Sequence, residues 1–167
     1  MEALFVHDAR LPQEARASVP GIIREKIMTF EHTLNTLPGA IHGDSEHLPL
    51  IHTFAEGCYV REIFIPAGSF LTGKIHKHAH PNFLMQGKVI VVTEQGGRAY
   101  LEAPLSMISH AGTKRAIYAL TDTIWITVHV TQETDLDKIE DYVIAKDYAA
   151  LQLYEAQQQR VLEEQTP

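Results

Sequence analysis

Residues 68–87 read GSFLTGKIHKHAHPNFLMQG, with histidines at 76, 78 and 80 set between Gly73 and Pro81. In an extended strand the side-chain period is two, so three rings at alternate positions would project from one face. Neutral imidazole is a common ligand for zinc, iron, copper and nickel, and a metal on three such groups keeps a position open for water or substrate. A polar strand facing water could carry the same residues without an ion. The stripe is internal, so it is not a terminal purification tag.

Outward from this stretch, the chain of 167 residues has the size of one domain, 1–167, able to bury its own core. It is 45% hydrophobic and 21% charged, and no apolar run reaches the 18 or more residues of a spanning helix. That predicts no membrane segment. The first residues, MEALFVHD, lack a basic start and a long apolar core, so no secretory signal is read and a cytoplasmic protein is expected. Cys58 is the single cysteine, which excludes an intrachain disulfide and any multi-cysteine zinc site. A net charge of -7 with scattered Lys and Arg argues against nucleic acid as a partner. No phosphate-binding G-x-x-x-x-G-K motif and no G-x-S-x-G nucleophile elbow is present.

Ile23, Ile27, Phe30, Leu34 and Leu37 recur at helical spacing, which predicts a helix over 20–37 with Ser18 as cap and Pro38-Gly39 as stop. Residues 39–50 read as loop. From 52 to 130 the pattern changes to short strands: 58–65, 70–76, 82–86, 88–93, 98–102, 107–109, 115–120 and 123–130. Turn chemistry lies between them, as in Pro66-Ala67-Gly68, Gln95-Gly96-Gly97 and Ala103-Pro104. Such close spacing predicts a mostly β sandwich or barrel of jelly-roll type. Leu136, Ile139, Val143, Tyr148, Leu151 and Tyr154 mark a C-terminal helix with Thr134 or Asp135 as cap, and residues 157–167 are expected to fray. The chain thus divides into a helical extension (1–51), a barrel (52–130) and a helical tail (131–167).

Gly68, Lys74, His76, His80 and Gly87 follow, with intervals of five, one, three and six residues, a spacing that resembles the first motif of the cupin superfamily. Lys74 stands where that motif has its first histidine, and His80 where it has glutamate. Residues 104–115 resemble the second motif, with Gly112 in place and Arg115 where the family has a histidine. Arg115 cannot ligate a metal because it stays protonated. With its helical flanks, the GTKR segment at 112–115 and the T-x-H of the last strand, the whole chain is similar to small single-domain cupin-like proteins of phage and prophage genomes. The resemblance implies a cupin barrel with helical flanks, one divalent metal ion (iron, manganese, zinc or nickel) and, since small cupins commonly pair, a homodimer.

In the strand at 123–130, Trp125, Thr127 and His129 share one face, opposite Ile124, Ile126, Val128 and Val130. If that face lines the barrel, His129 completes a metal site with His76, His78 and His80. Lys74 and Arg115 would then hold an anionic small molecule, Arg115 through its planar fork. Period two from Arg115 puts Tyr118 outside the site. Two functions stay open: a metal-dependent enzyme of dioxygenase, isomerase or lyase type acting on a small polar or anionic molecule, and a non-catalytic ligand-binding or phage accessory protein with a structural metal or none. Fold alone does not choose between them.

Overall fold

The structure is a computed structural model that describes residues 13–41 and 45–165. Its strands are β1 (Leu50–Ala55), β2 (Cys58–Ile65), β3 (Phe70–Thr72), β4 (Ile75–His76), β5 (His80–Gln86), β6 (Lys88–Thr93), β7 (Gly97–Glu102), β8 (Leu105–Ser109), β9 (Arg115–Ala119), β10 (Thr123–Val130) and β11 (Ile144–Ala145). The helices are α1 (Gln13–Thr36), α2 (Leu136–Val143) and α3 (Tyr148–Glu164). Alternation builds the barrel. Thr123, Trp125, Thr127 and His129 of β10 are buried and the residues between them are not, so the polar-aromatic face points inward.

One antiparallel sheet has the order β1-β2-β10-β5-β8 and a second has β3-β9-β6-β7. Along the chain the path crosses from sheet to sheet: β2 and β3, β5 and β6, β7 and β8, β8 and β9, β9 and β10 all lie on opposite sides. That path is the jelly roll, and the molecule is a mostly β jelly-roll barrel with helical flanks. Leu84, Val89, Val91, Ile117 and Trp125 fill one end of its interior. The same inward faces turn polar toward the other end, where β5 offers His80 and Asn82 beside Leu84.

The flanks differ from the sequence expectation in three ways. α1 begins at Gln13, so the expected cap Ser18 and the following Pro20 lie inside the helix. β1 is absent from the expected strands; it starts at the last residue read as loop and pairs with β2 from Leu50↔Ile63 to Ala55↔Cys58. The C-terminal helix is broken by β11, because extended Ile144 closes α2 and the Asp147 carboxylate caps α3 by accepting from Ala150 N at 2.7 Å. Asp135 does cap α2, as expected, and α3 runs regularly to Glu164 rather than fraying at 157. No helix among the described residues is long and apolar enough to cross a membrane.

α1 covers the outer face of the second sheet. Phe30 meets Phe70 edge-on at 5.9 Å, Phe70 stacks on Tyr118 at 4.4 Å, and Arg24 pairs with Glu94. A groove of about 400 Å³ remains between helix and sheet, lined by Ile23, Ile27, Phe30, Ile90, Val92 and Tyr118. It lies across the sheet from the histidines. Tyr118 is outside the barrel, as the period from Arg115 requires.

Candidate metal centre

His76 ends β4, His80 opens β5 and His129 is next to last in β10. One ring nitrogen from each lies within 4.8 Å of the others. The ring centroids are 4.1 Å apart for His76 and His80, 4.8 Å for His80 and His129, and 5.1 Å for His76 and His129. Local folding explains the convergence. The segment 76–80 is two strand ends joined by a bend at Lys77 and His78, so the period of two fails across it. The His76 carbonyl accepts from Gly112 N at 2.8 Å, and Lys77 N donates to Val143 O at 2.8 Å. β11 then pairs Ile144 with His76, so the C-terminal flank fixes the first histidine.

The donor set fits a cation. His80 Nδ1 lies 3.2 Å from the His78 carbonyl oxygen, which can only accept; Nδ1 therefore carries the proton and Nε2 presents a lone pair. His76 Nδ1 is buried and has no hydrogen-bond partner among the described residues. Burial pushes His76 down to about 2, helped by His80, His129, Arg115 and Arg61. Burial likewise lowers His129 to about 4, with His80 and Arg61 adding to it. His80 is also held below its ordinary value, by burial and Arg115, against the opposing bond to the His78 carbonyl. Three neutral imidazoles at physiological pH are the protonation state that metal ligation requires. Tyr59 backs the trio, stacking on His129 at 6.0 Å while its hydroxyl lies 2.7 Å from His52 Nδ1.

The remaining expected site residues separate. His78 turns away from the trio, its ring 4.8 Å from that of Tyr142 and its Nε2 3.4 Å from the Tyr154 hydroxyl. The bend at 77–78 is the physical reason. Lys74 lies exposed at the surface and pairs with Glu140. Arg115 points inward: Nη1 donates to Asn82 Oδ1 at 3.3 Å, Nη2 donates to Ser109 Oγ, and Cζ lies 5.5 Å from the centre of the Trp125 ring. Burial lowers Arg115 to about 10. Glu62 pairs across to Ile126 on the outer face of the first sheet.

Asn82, Ser109, Arg61 and Tyr59 belong to the same inward surface and were not singled out from the sequence. Asn82 had a signal, since it shares the parity of His80 and Leu84 in an otherwise apolar strand. Its amide is fully used: Nδ2 donates to His80 O at 3.1 Å and to Ser109 Oγ at 2.8 Å, while Oδ1 accepts from Trp125 Nε1 at 2.9 Å and from Arg115. Arg61 stands opposite Thr127 and Tyr59 opposite His129 in the β2–β10 ladder. A divalent ion held by the trio would supply Lewis acidity to a bound water or substrate oxygen. The chain's own part is an enclosed, neutral donor set with a cationic wall.

No family model and no curated protein matches the sequence. Among solved structures, ectoine synthase from P. lautus is similar at 12% identity over 62% of this chain and 80% of that one, with a TM-score of 0.49. A cupin superfamily protein from Desulfitobacterium hafniense DCB-2 is similar at 10% identity over 56% of this chain and 88% of that one, with a TM-score of 0.44. Salicylate 1,2-dioxygenase from Pseudaminobacter salicylatoxidans is similar at 11% identity over 71% of this chain and 35% of that one, with a TM-score of 0.49. Likeness at such identities concerns fold alone. The strand order independently makes the molecule a jelly roll whose polar end gathers His76, His80 and His129.

Proposed function

We propose that this protein is a metal-binding cupin in which His76, His80 and His129 hold one divalent ion, and that the centre works on a small polar or anionic molecule. The observation that carries this is the buried, unpartnered His76 Nδ1 within a trio of convergent rings. A buried nitrogen left without a partner forfeits about 1–3 kcal/mol, and a ligand that occupies it restores the deficit. Iron, manganese, zinc and nickel all suit imidazole donors. Three protein ligands leave exchangeable positions, which favours turnover or ligand capture over a purely structural ion. His78 is left out of the ligand set because it is committed to Tyr142 and Tyr154.

The test is elemental analysis of protein purified without a His tag, set beside a His76→Ala, His80→Ala double variant. The parent should carry about one ion per chain and the variant none. Equal metal contents would overturn the assignment.

We also propose that two copies pair through the outer face of the first sheet. Support comes from Ile51, Ile108 and Val130, which are 55%, 58% and 80% exposed there, in a sheet that no helix of the described residues crosses as α1 crosses the other. Exposed apolar side chains spread over one sheet face fit a self-association surface.

A further inference from the structure

Arg115 is a largely enclosed guanidinium with no acidic partner among the described residues. Glu31, Glu94 and Glu140 are engaged by other cations, Lys114, Arg24 and Lys74 respectively. Only neutral groups, Asn82 and Ser109, accept from it, and they take two of the five N–H donors a guanidinium carries. Ser109 Oγ accepts from both Asn82 and Arg115, so its hydroxyl hydrogen has no acceptor among the described residues. A charge left in this state is costly, since only neutral acceptors face it among the described residues. Asn82 links the guanidinium to the His80 backbone, accepting from Arg115 and donating to His80 O, so the charge sits beside the trio and would also repel a cation bound there.

One ligand class relieves both problems. We infer that Arg115 and Ser109 form the recognition arm for a small carboxylate, and that carboxylate and metal ion bind this site with mutual reinforcement. A carboxylate is planar, matches the guanidinium fork with its two oxygens and accepts the Ser109 hydroxyl. Its charge cancels the repulsion between Arg115 and the ion, so each ligand strengthens the other by the same factor. Asn82, with every donor and acceptor used, holds Arg115 in place as a positioning residue. The metal half of this inference rests on the metal reading of the trio; the carboxylate half does not.

Trp125 is the only tryptophan of the chain and lies in this network, which makes its fluorescence a direct reporter. Chelated, metal-free protein is titrated with acetate, with acetamide as the neutral isostere and with inorganic phosphate. Acetate should give a saturable change that acetamide does not, weakened at least tenfold in Arg115→Gln; Arg115→Lys, which keeps the charge, serves if the glutamine variant does not fold. Cobalt binding is then measured by visible absorption with and without acetate. Acetate should raise cobalt affinity at least tenfold in the parent. In Arg115→Gln the enhancement should vanish while cobalt alone binds more tightly, a pairing that a merely structural role would not produce. Equal responses to acetate and acetamide, a preference for phosphate, or an unchanged Arg115→Gln would each overturn the carboxylate arm. If acetate binds as expected but cobalt does not, the arm stands and the metal reading falls.

Discussion

The rings of His76 and His129 lie 5.1 Å apart and within 7° of parallel, in contact with a third ring at His80. Two imidazolium ions could not share this arrangement, so the fold specifies neutral rings. Folded His76 and His129 take up protons only near pH 2 and 4, whereas in the unfolded chain both protonate near 6.5. Below 6.5 the unfolded state therefore binds more protons, and stability, full above that pH, falls as the pH drops. At about 1.4 kcal/mol per pH unit for each ring well below 6.5, and half that slope at 6.5 itself, metal-free protein should lose about 3 kcal/mol between pH 6.5 and 5. Urea midpoints measured across that window test this, and a flat profile would contradict the burial of the trio.

His78 provides the control for the ligand set. It lies between two of the ligands in sequence but is turned onto Tyr142 and Tyr154. His78→Ala should keep the parent's metal content and cobalt spectrum while losing about 0.5–1.5 kcal/mol from the ring contacts. Loss of metal in this variant alone would move the site.

What the sequence could reveal here was set by where local rules hold. The inward parity of Trp125, Thr127 and His129 is legible because β10 is a continuous strand. The same rule misplaced His78 because two residues of bend break the period between His76 and His80. Lys74 sat at a motif position that implied the barrel centre, yet pairing with Glu140 of α2 keeps it at the surface. That contact, like the pairing of β11 with β4, joins residues 66 to 70 apart in the chain, and no local pattern announces it. Asn82 and Ser109 were visible as residues but acquired meaning only once β5 and β8 lay side by side.

Gly87 closes the first motif for a reason that the backbone supplies. Its φ is +96°, and a Cβ there would come within 2.5 Å of Asp122 O and Thr123 Oγ1 and 2.9 Å of Thr123 Cα. Gly68, the opening glycine, has φ +82° with nothing within 4 Å of a Cβ. Gly87→Ala should therefore cost more than about 4 kcal/mol or prevent folding, while Gly68→Ala should cost only about 1–2 kcal/mol for its conformation. Chemical denaturation of the pair checks the ordering, and equal losses would refute it.

Lys114 precedes Arg115 in the chain but serves a different purpose. Its side chain is 6% exposed, and its ammonium donates to Glu31 Oε1 of α1 at 2.7 Å and to Gly73 O at 3.2 Å, while Thr72 Oγ1 donates to the same carboxylate oxygen at 2.8 Å. Glu31→Gln would leave a buried ammonium without its counter-charge, at about 3–5 kcal/mol. Glu31→Gln combined with Lys114→Met, which removes the charge, should recover part of that loss. A double variant no more stable than Glu31→Gln would show that the pair does not anchor α1 to the barrel.

The bare sheet face yields the last prediction. Ile51 in β1 and Val130 in β10 both project outward, against Glu62 and Cys58 of β2, while Ile108 projects from β8 at the far side of the same sheet. An isologous contact brings one patch against itself, so a single charge on it faces a like charge across the two-fold axis or is buried without a partner. Light scattering should give twice the 18.7 kDa chain mass for the parent and the chain mass for Val130→Asp, Ile108→Asp. Because these side chains point away from His129 and His80, metal content should survive the change to monomer. A parent that is already monomeric at micromolar concentration would remove this face as a self-association surface and leave the barrel interior untouched.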